Sequence, residues 1–265
     1  MNTAVLAPAA SWRIVLGLVA LGVGVLLAVL IGGSVIQAVG WDLDVSTGDG
    51  ADFGRVVGQV AVDQTPDHNR VPLVISVLLN VPLWVGFVGL PLWARRTKGL
   101  DWRRDMGWSM TRRDIPVGLA IGVLTQAVLV PLLYIPILRS VDSAELEEPA
   151  RNLVASANSP LGVVALILLT IVAAPVAEEI VFRGLLFRGI FDMEAPRSFA
   201  MPLAIVVSSA IFAASHFQFL QFPGLFLIGA VAAYAMYRTG RLGTAIWIHV
   251  GFNATTVLIL LPEFY

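Results

Sequence analysis

Six stretches of this chain, 14–41, 71–94, 115–138, 152–177, 198–237 and 242–262, contain no Asp, Glu, Lys or Arg. No other feature restricts the fold as strongly. A helix needs about 20 apolar residues to cross a hydrocarbon layer, and five of these stretches fit one crossing each. The stretch 198–237 is long enough, at about 1.5 Å per helical residue, for two. Gln218–Gly224 (QFLQFPG) supplies the turn between them. The runs do not alternate apolar with polar residues, which a membrane barrel strand requires. The expected fold is all-α, a polytopic transmembrane helical bundle of about seven spans. Only 13% of the residues are charged, against roughly 25% in a soluble domain, so a soluble enzyme and a disordered chain are both excluded. The first run exceeds the apolar core of a signal peptide and reads as a retained helix.

The loops set an orientation. Residues 95–114 carry seven Lys or Arg. With the N-terminus inside, the inner segments hold 13 basic residues and the outer ones four. The positive-inside rule then favours a cytoplasmic N-terminus. The 42–70 loop holds six Asp and two Arg and reads as an acidic outer connector. Gly118 and Gly122 form a GxxxG in the third span, a pattern that most simply serves close helix packing. The net charge of −1 gives no basic surface for nucleic acid, and the absence of Cys excludes thiol chemistry and disulfides.

Ionisable groups within a span cost roughly 2.5–3.5 kcal/mol each and mark candidate sites. Three patterns carry them here: Glu178-Glu179-x-x-x-Arg183, Phe212-x-x-x-His216 and His249-x-x-x-Asn253. Residues four apart share a helix face. Glu179 and Arg183 can therefore pair, leaving Glu178, about 100° round the helix, to face another neighbour. Phe212 can buttress His216, and His249 and Asn253 can point the same way. If the fourth helix runs on through Phe191 to a turn at 192–198, the three patterns come to compatible depths, in the cytoplasmic half of the membrane. Both histidines are expected inside spans; His68, in the acidic loop, reads as solvated. Ser208, Ser209 and Ser215 lie near His216, but no Asp is placed to complete a triad.

Taken together and in this order, EEIVFR at 178–183, FAASH at 212–216 and HVGFN at 249–253 resemble the CPBP family. These are the CAAX proteases and bacteriocin-processing enzymes, also called Abi, intramembrane endopeptidases related to type II CAAX prenyl proteases. The resemblance covers residues 115–262. It divides the chain into an N-terminal two-helix region, 1–114, and a catalytic transmembrane core, 115–265. It implies hydrolysis of a peptide bond in a membrane-associated peptide or protein, in a bacterial plasma membrane. Carried over by motif, Glu178 is the general base and His216 helps to hold and polarise the water. His249 and Asn253 stabilise the oxyanion, and Glu179, Arg183 and Phe212 give support. The expected partners are membrane lipid and the substrate; no feature sets an oligomeric state.

Three other readings stay open. Glu178, His216 and His249 are a plausible zinc set with water as the last ligand, although no HExxH is present; no cofactor is the favoured reading. A non-catalytic membrane scaffold or signalling partner can keep the same polar groups. A proton-coupled transporter also uses intramembrane Glu and His, but no internal repeat is apparent.

Overall fold

The computed structural model describes residues 7–38, 73–139 and 141–264. His68 and the acidic 42–70 segment lie outside these residues. Helices fall on every charge-poor run. They are α1 (Ala7–Ala38), α2 (Leu73–Lys98), α3 (Asp114–Tyr134), α4 (Ser143–Ala155), α5 (Pro160–Phe191), α6 (Arg197–Ala214), α7 (Phe222–Thr239) and α8 (Leu242–Leu260). Among the described residues, α1, α3, α5, α6 and α8 are long and apolar enough to cross a membrane. The protein is a helical bundle of the polytopic membrane type. The first turn, at 192–196, falls within the predicted 192–198; the second, at 215–221, comes three residues ahead of the predicted Gln218–Gly224, because α6 already ends at Ala214 and α7 starts at Phe222.

The fourth run departs from expectation. The predicted span 152–177 begins too early, because 152–155 belong to α4, a separate amphipathic helix. The chain breaks after it. Ser159 then caps α5 by accepting the Gly162 N–H at 3.0 Å, with Pro160 at the first helical position. Pro at that position forfeits no helical hydrogen bond. Absence of charge therefore marked neither helix end.

Helix α5 is the axis of the bundle. Every residue from Glu179 to Phe187 is buried, the ionisable Glu179 and Arg183 included. Ile180, Leu185 and Phe187 pack with Leu16 of α1, Met236 of α7 and Leu242 of α8. Val181, Phe182 and Leu186 pack with Phe87 of α2 and Phe212 of α6. The N-terminal helices thus share a core with the motif-bearing ones. Two segments of α5, Ile167–Ala173 and Ile180–Phe187, are π-helical. Such wide turns recur at functional sites, and the second follows directly on Glu179.

The GxxxG of α3 does the packing expected of it. A Cβ on Gly118 would meet Trp247 Cβ at 2.5 Å, and one on Gly122 would strike the Ile248 carbonyl oxygen. From the other side, a Cβ on Gly251 would lie 2.6 Å from the Leu119 oxygen. Backbone, which cannot rotate aside, is the obstacle. Gly122→Val is therefore expected to destabilise the bundle by at least the ~1–3 kcal/mol typical of overpacking. Thermal unfolding of the detergent-solubilised protein checks this, and an unchanged midpoint would show that the α3–α8 crossing yields.

Candidate functional site

The two adjoining glutamates sit in different environments. Glu179 is fully buried. Its Oε1 accepts from Arg183 Nη1 at 2.7 Å, one helical turn on, and lies 2.9 Å from His249 Nδ1 of α8. Glu178 keeps 14% side-chain exposure, and its Oε2 lies 3.8 Å from His249 Nε2. Glu178 thus faces a different neighbour from the Arg183 that pairs with Glu179. The two carboxylates address the two nitrogens of one imidazole, since the approach of α8 brings His249 between them.

Arg183 is the largest fully buried side chain. Besides Glu179, it donates from Nη2 to the Gly229 carbonyl of α7 at 3.0 Å, and its guanidinium lies 4.6 Å from the centre of the Phe212 ring. A Cβ at Gly229 would come within 3.3 Å of Nη2 and 3.0 Å of Ser209 Cβ, so the small residue admits both neighbours. The expected Glu179–Arg183 pair is present, though Arg183 Nε and Glu179 Oε2 have no protein partner among the described residues; a main-chain acceptor and an aromatic face lie beside it. A buried charge requires such partners.

Phe212 joins the rest. Its ring meets His216 at 4.7 Å and His249 at 5.5 Å between centroids, both edge-to-face. His216 stands in the turn just beyond α6, which ends at Ala214, and not inside a span as expected. Helix α6 stops there because Ser215, in cap position, donates its hydroxyl back to the Phe212 oxygen at 2.8 Å. The following Phe217 has φ +54°, which takes the chain out of the helix. His216 Nδ1 is 2.8 Å from the same Phe212 oxygen. Since a carbonyl only accepts, Nδ1 carries the proton and Nε2 is left as an acceptor. Asn253 of α8 donates Nδ2–H to the Thr170 carbonyl of α5 at 2.8 Å; an amide has a second N–H to offer.

Among the described residues no three His, Asp, Glu or Cys groups converge as a metal-holding cluster. Nδ1 of each histidine is engaged, by the Phe212 carbonyl and by Glu179, which fixes both rings and turns each Nε2 outward from that bond.

One functional-looking group escaped the sequence reading. Asp114, at the start of α3, is buried. It holds the Arg241 guanidinium by Nη2–Oδ1 at 2.7 Å and Nε–Oδ2 at 2.9 Å, and it accepts from Thr244 Oγ1 at 2.7 Å and Thr111 Oγ1 at 3.0 Å. It ties the entry of α3 to the α7–α8 turn at Arg241, eight residues before His249, and to Thr244 in the first turn of α8. Asp114 and Arg241 are 127 positions apart, so no spacing reveals them.

Fold and site together define an integral membrane protein with a carboxylate–imidazole–guanidinium centre buried among its helices. Residues 160–255, which hold all three motifs, match the family model of type II CAAX prenyl endopeptidase, Rce1-like. The membrane-embedded CAAX protease MroQ of Staphylococcus aureus (strain USA300) is 36% identical over 95 residues, which is 35% of this chain and 38% of that protein. The chain thus aligns with well under half the length of this relative. No solved structure matches it. Over residues 160–255 the chain is thus similar to CAAX-type proteases of the Rce1-like family.

Proposed function

We propose that the protein is an intramembrane endopeptidase that cleaves a membrane-associated peptide or protein with a water activated by Glu178. One observation carries the reading. Of two adjacent carboxylates, Glu179 is spent on Arg183 and His249, while Glu178 is partly exposed and free to take a proton. The 3.8 Å between Glu178 and His249 is longer than a hydrogen bond, the kind of gap that a water bridges.

In the proposed reaction, water attacks the peptide carbonyl carbon as Glu178 takes one of its protons. His216 Nε2 accepts a hydrogen bond from the other and so orients the water. The new C–O bond leaves an oxyanion. His249 as imidazolium, its Nδ1–H held by Glu179, offers Nε2–H to that oxygen, and Asn253 offers its second N–H. Oriented donors of this kind contribute about 10²–10³-fold each. The C–N bond then breaks, and Glu178 returns its proton to the departing amine. With His249 protonated, two carboxylates, one guanidinium and one imidazolium sum to zero charge, which suits an apolar interior. The proposed membrane is a bacterial plasma membrane, with the N-terminus cytoplasmic.

Substrate is identified by comparing membrane peptidomes of cells carrying wild type or Glu178→Gln. A protein that stays uncut only in the variant supports the proposal; identical peptidomes, with the cellular phenotype retained, favour a scaffold. Metal content separates the chemistries. Purified active enzyme is expected to hold no stoichiometric zinc and to survive chelation. Activity lost to a chelator and restored by zinc would overturn the metal-free mechanism.

A further inference from the structure

We propose that the segment 93–113 is a binding surface for the headgroups of anionic phospholipids, clasped to the two helices that carry Glu178 and His249. Its inner side is fixed to the bundle. Met106 is fully buried, and a Cβ on Gly184 of α5 would meet its Cε at 3.0 Å. The Gly107 oxygen accepts from Leu242 N–H at 2.8 Å, and the Ser109 oxygen from Gly243 N–H at 3.0 Å. Those are the first amides of α8, which have no partner within their own helix; Arg241 ahead of them makes no side-chain cap. The Arg104 and Asp105 carbonyls accept from Arg188 of α5 and Arg13 of α1.

The outer side differs. Arg95, Arg96, Lys98, Arg103, Arg112 and Arg113 are exposed, and among the described residues none has a hydrogen-bond or ion-pair partner. Elsewhere Arg13, Arg151, Arg183, Arg188, Arg197 and Arg241 are all engaged by protein groups. The segment's two carboxylates do not offset the cluster: Asp105 is spent on Arg104, and Asp101 caps the Arg104 N–H. Beside the cations, Trp93, Trp108 and Met110 stand 50%, 40% and 57% exposed. Trp at this level inserts among headgroups. A row of free cations flanked by exposed Trp complements a phosphodiester at the edge of an apolar layer, not an anion free in water. Each basic residue near an anionic surface adds about 1 kcal/mol to attraction, which is about fivefold in affinity.

The test uses the full chain in nanodiscs of phosphatidylcholine containing phosphatidylglycerol, with retained lipid counted by mass spectrometry after detergent extraction. Wild type is expected to retain phosphatidylglycerol above its share of the bilayer. Arg103→Gln/Arg112→Gln/Arg113→Gln should weaken that preference by about 10²-fold, and the matching Lys triple should keep most of it. All three positions are exposed, so the fold is expected to stand, and the Lys triple separates charge from folding. Retention in proportion to the bilayer, or equal preference in the Gln triple, overturns the proposal. So does displacement by inorganic phosphate at equal ionic strength, which marks a free-anion site, or by an acidic peptide, which marks a peptide-docking surface.

Discussion

Glu178→Gln is expected to leave the protein folded and to lower peptide hydrolysis by about 10²–10⁴-fold, the usual worth of a positioned general base. The amide keeps the size of the carboxylate and removes its ability to take a proton. Little structure is at stake, because the side chain is partly exposed and its nearest charged neighbour is 3.8 Å away. Glu179→Gln should behave differently. It weakens the anchor of His249 Nδ1 and leaves Arg183 buried against a neutral acceptor, so activity and thermal stability should fall together. Measured on one cleavable membrane peptide, with unfolding followed in the same detergent, the pair separates the two roles. Full activity in Glu178→Gln, with activity lost in Glu179→Gln, would reverse the assignment of the base.

Much of this was legible because charge is so scarce in the chain. Helices appear where the charge-free runs lie, and Glu179, Arg183 and His249 meet as intramembrane polar residues must. The ends of elements were less legible. Helix α4 and the start of α5 are set by Ser159, Pro160 and an amphipathic stretch, none of which changes the count of charges. His216 was expected within a span because its neighbours are apolar. A serine cap and the left-handed Phe217 end α6 before it, and neither leaves a mark in hydropathy. Spacing on one helix found the Glu179–Arg183 pair. It could not find the Gly229 carbonyl, the Thr170 carbonyl or the Asp114–Arg241 clasp, since these depend on which helices become neighbours. That Glu178 and Glu179 face the same imidazole also lay beyond it, because this depends on the approach of α8.

Arg183→Met should produce the largest loss of stability. Arg183 and Glu179 are both fully buried, and removing one partner of such a pair costs about 3–5 kcal/mol, because the other charge stays desolvated and uncompensated. Here the stranded group is Glu179, left among the described residues with His249 as its hydrogen-bond partner and with no protein partner for its Oε2. The variant also empties the hydrogen bond to Gly229 and the contact with Phe212, so α7 and α6 lose their common tie to α5. Arg183→Lys should recover only part of this, since an ammonium lacks the planar fork that reaches Glu179 and Gly229 together. The informative comparison is with the double variant Glu179→Leu/Arg183→Met. Replacing a buried ion pair by apolar residues of similar volume is often neutral, so its unfolding midpoint should return toward wild type. Its activity should not return, because His249 has lost the carboxylate that fixes its ring. If the double variant regains activity with stability, the pair serves folding alone and His249 needs no anchor. If it unfolds as readily as Arg183→Met, the tie to Gly229, and not the stranded charge, is what holds the bundle.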